Sequence, residues 1–248
     1  MPETFAVSAP RTARERVRRE LTTEIKETAL AQLASGGGAA LSLRAIAREM
    51  GMASSALFRY FRNRDALLTA LIIDSYSSLA QAAEAAEARA HDETVGDRWM
   101  AICHSVRDWA VTHPHEYALI FGSPIPGYAA PPGTVAPASR VPLLLGDLLG
   151  DLVSEGTYDP DAHPEPPAEV QRALDPVRVL LPAGVPSELL VRGLMVWTYL
   201  FGAVSFEVFG HRNNVIGDYE VFFDHEVRRL AAMLGLVPAA TASEIDAR

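Results

Sequence analysis

The hydrophobic positions between residues 42 and 68 follow the pattern of two short helices separated by a glycine. Four apolar residues recur at the helical spacing i, i+3, i+4, i+7: Leu43, Ile46, Ala47 and Met50. Ser42 can cap this helix, and Gly51 can end it in the left-handed conformation that glycine adopts without steric cost. Leu57 and Phe61 then point inward from a second helix. This spacing is typical of a DNA-binding helix-turn-helix, although an ordinary corner between two helices also produces it.

Helical periodicity continues along the rest of the chain, whereas strand signals are scarce. A first helix is predicted from apolar residues that recur every four positions and ends at a run of glycines, 36 to 38; its apolar residues are Val17, Leu21, Ile25, Ala29 and Leu33. Further helices are predicted over residues 65–89, 94–112, 115–121, 138–154, 187–210 and 215–235. The predicted fold is all-α, with a three-helix helix-turn-helix head and a C-terminal helical bundle.

Two proline-rich stretches, residues 122–137 and 156–187, interrupt the body. We expect the first to pack over the body. The second resembles a surface insertion that is partly anchored by its apolar residues Val177, Val179, Leu180 and Leu181. The predicted units are a disordered arm (1–15), a DNA-binding head (16–64), a body for ligand binding and dimerisation (65–238) and a disordered tail (239–248).

Charge favours the DNA-binding interpretation over the helical corner. Residues 1–64 hold eleven Lys or Arg against six Glu, a net of +5, so the remainder carries −14 in a chain of net −9. Phosphate neutralisation requires positive charge on the surface that meets DNA. The arginines between 11 and 19 could follow the DNA backbone or minor groove as a basic arm; a frayed terminus is the alternative.

Composition excludes several other classes of protein. The single cysteine, Cys103, cannot form an internal disulfide, and no uninterrupted apolar run reaches the roughly 18 residues of a membrane span. The first ten residues lack the basic start and apolar core of a secretory signal. We therefore expect a cytoplasmic protein with no membrane partner.

Residues 43–68 are similar to the N-terminal head of the TetR family of bacterial transcriptional regulators, whose pattern is close to L-R-x-I-A-x-x-x-G-x-x-x-x-x-L-F-R-Y-F-x-x-[KR]-[DE]-x-L-L. The resemblance extends over about residues 16 to 72. It implies a set of DNA-contacting residues: Ser42, Arg44, Ser54, Ser55, Ala56, Arg59, Tyr60 and Arg64. Phe58 stands where the family often has a tyrosine that contacts the DNA backbone, and Tyr60 stands where a histidine is frequent. The resemblance thus makes Tyr60 the candidate for the missing phosphate contact.

A second resemblance covers about residues 94 to 235, where Trp197, Phe201-Gly202, Ser205, Glu207 and Phe209-Gly210-His211 look like the C-terminal domain of the Trp/Gly-motif (WHG-type) TetR subgroup. The apolar face of the last two helices is too long to be left exposed to solvent. It therefore predicts half of a four-helix dimer interface. Its residues are Trp197, Phe201, Val204, Phe223, Val227 and Leu230. The alternative is that these side chains form the core of a single chain.

The body is expected to hold a small hydrophobic effector in an apolar cavity with few polar anchors. The predicted lining residues are Trp99, Cys103, Arg107, Tyr117, Phe121, Met195 and Tyr199. Catalytic signals are weak, because Cys103 and His104 are adjacent on a helix and point about 100° apart. Glu207 and His211, at i and i+4, are the best metal pair, and no cofactor or metal site is expected.

The sequence therefore predicts a regulator, not an enzyme, that binds a palindromic operator in double-stranded DNA as a homodimer. A repressor released by an effector is the favoured mechanism. A ligand-independent or activating regulator is the alternative within DNA binding, and an all-α carrier or enzyme is the alternative from another class.

Overall fold

A computed structural model describes residues 13–36, 41–159 and 163–236. These residues form eleven α-helices, with one 3₁₀ turn at Pro132–Thr134 and no strand, which confirms the predicted all-α fold. The helices are α1 Ala13–Gly36, α2 Leu43–Glu49, α3 Ser54–Leu57, α4 Arg64–Arg89, α5 Val95–Thr112, α6 Pro114–Phe121, α7 Val135–Ser154, α8 Ala168–Ala173, α9 Asp175–Arg178, α10 Ser187–Val208 and α11 Tyr219–Leu234.

The head is built by the local signals that the sequence predicts. The Ser42 hydroxyl accepts a hydrogen bond from the Ala45 N–H, so it caps α2. Gly51 follows the helix with φ +66°, a conformation that favours glycine. Asn63 caps α4 through the Ala66 N–H at 2.8 Å. The second helix of the motif, α3, is only one turn long, and a turn continues it to Tyr60.

Helix α4 belongs to two hydrophobic cores. Its first turns bury Leu67, Leu68 and Leu71 among the head residues, whereas Leu79 and Ala83 are buried in the body. The predicted connecting helix is confirmed, and the core of the head extends beyond the predicted boundary at residue 64. Helix α4 is thus one continuous connection between the core of the head and the core of the body.

In the body, α5, α6 and α7 pack against α4, whereas α10 and α11 pack against each other and against α5, with α10 also on α7. Hydrogen bonds tie its core aromatics to backbone: the Trp99 indole donates to the Val227 carbonyl at 3.0 Å and the Tyr117 hydroxyl to the Phe201 carbonyl at 3.1 Å. Helix α7 begins at Val135 rather than 138, with Pro142 inside it.

Both proline-rich segments have defined positions where the structure describes them. The strap, which we define as residues 122–131, packs Ile125 and Tyr128 against the core of the head. In the second segment Val177 and Leu181 pack against the body core, but Val179 and Leu180 are 80% and 59% exposed. These two are therefore not anchors, contrary to the prediction.

The predicted terminal segments fall partly outside the described residues. Residues 13–15 belong to α1, so they are not part of a disordered arm. Residues 1–12 and the predicted tail, 239–248, lie outside the described part of the chain. Helices α4 and α10 are long and apolar enough to cross a membrane by length and composition, but both pack against other helices of the body.

Candidate nucleic-acid interface and ligand cavity

The outer surface of the helix-turn-helix is polar and basic. Arg44 and Arg59 are exposed on either side of the turn, and Ser54 and Ser55 are exposed on α3, while Ala56 is half-buried beside them. Leu43, Ile46, Ala47 and Leu57 face the opposite way and are buried in the head. The apolar residues thus fix the two helices so that short polar side chains and guanidinium groups share one outward surface.

Tyr60 is not fully exposed on this surface, although the resemblance implied that it would be. It is half-buried and packs against the core of the head, with the guanidinium of Arg18 5.8 Å from its ring centroid. Phe58 is 44% exposed instead. A cation over an aromatic ring is attracted to it, so Tyr60 holds the start of α1 against the second helix of the motif.

Helix α1 adds basic groups that the sequence interpretation placed in a flexible arm. Arg14 and Arg18 line a shallow groove together with Arg59 and Tyr60. Residues 13–19 are helical, so the backbone of α1 presents these exposed basic residues next to the helix-turn-helix. The i, i+4 spacing of Arg14 and Arg18 is the signal in the sequence that could have revealed this.

Arg64 lies in the first turn of α4, as predicted, and is half-buried. Its guanidinium is 3.6 Å from the Asp65 carboxylate, an interaction between neighbouring residues that leaves it near the positive end of the helix. Its predicted phosphate contact remains a prediction.

The body encloses a cavity of about 750 Å³ between α4, α7, α10 and the strap. Helix α4 contributes Ile72 and Tyr76, and α5 contributes Trp99. Residues 177–181 close part of it: Leu181 packs onto Gly146 of α7, and a Cβ at Gly150 would lie 2.7 Å from Pro182. The two glycines, one helical turn apart, form the notch in which this segment rests.

Only Trp99 of the predicted effector residues lines this cavity. Cys103 and Tyr117 are fully buried in the body core, and burial raises the pKa of Cys103 well above its usual range and that of Tyr117 to about 12. Phe121 packs within an aromatic cluster beside the cavity. These predictions were wrong because the core, rather than the cavity, takes the largest side chains of α5 and α6.

The remaining three predicted effector residues have other roles. Arg107 forms a two-pronged ion pair with Glu207, at 2.8 and 2.6 Å, and hydrogen bonds from this pairing raise the pKa of Arg107. Met195 and Tyr199 are exposed on the outside of α10, at 56% and 47%. Because both carboxylate oxygens of Glu207 are occupied by Arg107, the suggested metal pair with His211 does not form; the described residues contain no cluster of three potential metal ligands.

The predicted dimerisation residues are mostly interior. Phe201, Val204, Phe223, Val227 and Leu230 are each at most 8% exposed and belong to the body core of a single chain, so the alternative interpretation is correct for them. Trp197, the sixth, lines the cavity. An apolar stripe lies on the other side of α10 and continues to Phe209, the residue after the helix. Met195, Tyr199, Phe206 and Phe209 are exposed, and Gly202 between them is half-buried.

Comparisons with known proteins agree with the head and the body separately. The model of the bacterial tetR regulatory protein family matches residues 25–71, and that of the tetracyclin repressor-like C-terminal domain matches residues 99–230. HTH-type transcriptional regulators of Mycobacterium tuberculosis and Mycobacterium bovis are 38% identical over 244 residues, which is 94% of this chain and 99% of theirs. The chain belongs to the TetR family.

Two solved structures share the fold. The crystal structure of the regulatory protein SCO4313 has a TM-score of 0.73 and 35% identity and covers 89% of this chain and 100% of its own. A tetR family regulatory protein from Rhodococcus RHA1 has a TM-score of 0.60 at 15% identity, covering 87% of this chain and 97% of its own, and is similar in fold alone.

Membership of the TetR family confirms the predicted DNA-binding transcriptional regulator and its helix-turn-helix. It also confirms that the chain is not an enzyme, because TetR-type proteins with these domains are regulators. TetR regulators bind DNA and typically form dimers.

Proposed function

We propose that the chain is a homodimeric repressor of the WHG-type TetR subgroup, located in the cytoplasm, whose affinity for a palindromic operator falls when a small molecule occupies the cavity. The observation that carries this proposal is the position of the strap. Its residues Ile125 and Tyr128 line the cavity and also pack against the core of the head. These two side chains therefore connect the wall of the cavity directly to the core of the DNA-binding head.

DNA recognition in this proposal uses the basic surface of the head. Ser54, Ser55 and Ala56 face the major groove, and the guanidinium groups of Arg44, Arg59 and the start of α1 contact phosphates. Short side chains offer few bidentate base contacts, each of which is worth about 1 to 3 kcal/mol of discrimination. We therefore expect DNA shape to contribute to specificity.

Dimerisation in this proposal uses the exposed stripe of α10 together with the outer side of α11. Val221, Phe222 and Met233 of α11 are 67%, 39% and 43% exposed, so both helices leave apolar surface uncovered in one chain. A buried carboxylate, Glu226, accepts hydrogen bonds from Tyr199 at 2.6 Å and from Arg212 at 2.7 and 2.8 Å. This pairing holds the α10–α11 connection against α11 and so shapes the face.

Two such faces related by a twofold axis form a four-helix interface and place two heads side by side. A twofold pair reads half-sites about 34 to 36 Å apart or a multiple of that distance. Effector control then requires only that the ligand prefer a body conformation in which the α4 helices hold the heads at another spacing.

Selection from a random double-stranded DNA library tests the proposal. The immobilised full-length chain should enrich a twofold-symmetric sequence whose half-sites obey this spacing. Failure to enrich any sequence, or enrichment of a single asymmetric half-site, would contradict the proposed dimeric repressor.

A further inference from the structure

The cavity is uncharged as well as apolar. None of the described residues that line it is Asp, Glu, Lys, Arg or His. The cation nearest along α7, Arg140, is bound by both carboxylate oxygens of Glu84 at 2.9 and 2.6 Å and is not a lining residue. A ligand that carries a full charge would lose its hydration inside the cavity without gaining a counter-charge, which is strongly unfavourable.

Apolar side chains of the cavity lining also extend to its edge. Val135 and Leu180 both line it, yet they are 62% and 59% exposed, so they form an apolar rim that reaches solvent. A ligand therefore meets hydrophobic side chains from the surface inward.

Three of the five hydroxyl groups on the described wall donate their protons to backbone carbonyls, which narrows the class of ligand further. The other two belong to Ser123, which is exposed, and to Tyr128, which is bonded to Thr69. Tyr76 donates to the Ile120 carbonyl at 3.3 Å, Thr134 to the Pro131 carbonyl at 2.8 Å and Ser139 to the Val135 carbonyl at 2.9 Å. Since each hydroxyl has one proton, these groups retain only acceptor lone pairs for a ligand. The Trp99 indole N–H is likewise committed to the Val227 carbonyl. Among the described residues of the wall, the Trp197 indole N–H has no such partner and can donate to an oxygen of the ligand, which an alcohol also supplies.

We propose that the cavity takes an uncharged molecule with an apolar body and a hydrogen-bond donor, of which a long-chain or cyclic alcohol is the simplest example. The donor meets the lone pairs of Tyr76, Thr134 or Ser139. A carboxylate is only an acceptor and faces these same lone pairs, and an ammonium group lacks a counter-charge. The statement that this ligand class acts as an effector rests on the proposed function. The statement that the cavity prefers to bind it rests on the residues of the cavity alone.

Calorimetric titration of the full chain, without DNA, with four probes of equal chain length tests the proposal: n-decanol, n-decyl methyl ether, n-decanoate and n-decylamine. We expect n-decanol to bind best, the ether several-fold more weakly, and both charged probes at least tenfold more weakly. A change in tryptophan emission should accompany binding, because Trp99 and Trp197 line the cavity and a ligand would replace water beside them.

Matched variants test whether n-decanol binds inside the cavity. Ala138→Phe fills the cavity from α7 and should abolish n-decanol binding, whereas Ala136→Phe, at an exposed position of the same helix that does not line the cavity, should leave it unchanged. Ala130→Phe at the exposed rim provides a second blocking variant should Ala138→Phe lose its helical circular dichroism.

Equal or tighter binding of a charged probe would overturn the proposal. So would an absence of binding by all four probes, or n-decanol binding that survives both blocking variants. If the probes bind in the expected order but do not release the selected DNA, the proposed ligand class is supported. That result would contradict the proposed repressor mechanism instead.

Discussion

The Tyr128 hydroxyl in the strap lies 2.9 Å from the Thr69 hydroxyl in the second turn of α4, between the ligand cavity and the head. The ring of Tyr128 lines the cavity, whereas its oxygen is bonded to the helix that leads out of the head. This pair is therefore a polar link between the wall of the cavity and the first half of α4.

Tyr128→Phe should weaken the coupling between ligand and DNA. A typical hydrogen bond contributes about 1 kcal/mol, so the effect of the ligand on DNA affinity should decrease roughly fivefold. Ligand affinity itself should change little, because the ring remains. Fluorescence anisotropy of labelled DNA at increasing ligand concentration measures both. Tyr158→Phe removes a hydroxyl that is bonded to Arg192 instead, and it should leave the coupling intact; equal loss in both variants would contradict the role of the pair.

Arg44→Ala should weaken binding to all DNA sequences and reduce the salt dependence. Each lost phosphate contact reduces the slope of log affinity against log salt by about 1, so the dimer, which loses one contact in each head, should show a slope lower by about 2. Arg89→Ala removes the same charge from an exposed position at the far end of α4, about 37 Å along the helix from its start at Arg64, and its slope should match that of the wild type. Titrations at several salt concentrations check this, and an unchanged slope in Arg44→Ala would place the phosphate contact elsewhere.

Met195→Glu should convert the dimer to a monomer. Met195 is 56% exposed in one chain and lies on the stripe of α10, so a carboxylate there would be buried against the partner without a counter-charge. Val179→Glu, at a position that is 80% exposed outside the stripe, is the control. Sedimentation analysis should find a monomer only for the first variant; a dimer in both would show that another surface associates.

Tyr117→Phe should reduce the alkaline instability of the fold. Burial, opposed only partly by the Ser205 hydrogen bond, raises the pKa of Tyr117 from 10.0 to about 12. Above pH 10 the unfolded chain loses this proton more readily than the folded chain, so its stabilising contribution is complete below pH 10 and is lost as pH rises towards 12. Between these values the free energy of unfolding of the wild type should fall by about 2 kcal/mol more than that of the variant. Denaturant titrations at both pH values measure the difference, and identical slopes with pH would contradict it.

Much of the fold follows from local signals in the sequence. Ser42, Gly51 and Asn63 act through their own backbone surroundings, so capping and glycine rules are sufficient to place the helices of the head. The charge contrast between head and body also needs no tertiary information. Together with the helix-turn-helix spacing, these signals are enough to indicate a DNA-binding regulator.

The cavity and the dimer face could not be predicted in the same way. An apolar stripe does not reveal whether it faces its own chain or a second one, which is why Val204 and Val227 were assigned to an interface although they are interior. The cavity depends on where the strap and residues 177–181 fold back, and proline-rich segments carry little periodicity. Tyr128 was therefore missed, and Arg107 was taken for an anchor although Glu207 neutralises it.

The reciprocal effect of DNA and ligand tests the central proposal most directly. Anisotropy titrations of the selected palindromic DNA, with and without saturating n-decanol, give one coupling factor, and calorimetric titrations of n-decanol with and without that DNA give the other. The proposed repressor predicts that n-decanol lowers DNA affinity and that DNA lowers n-decanol affinity by the same factor, of roughly five- to 150-fold. A DNA affinity that stays constant while n-decanol saturates the cavity would contradict it.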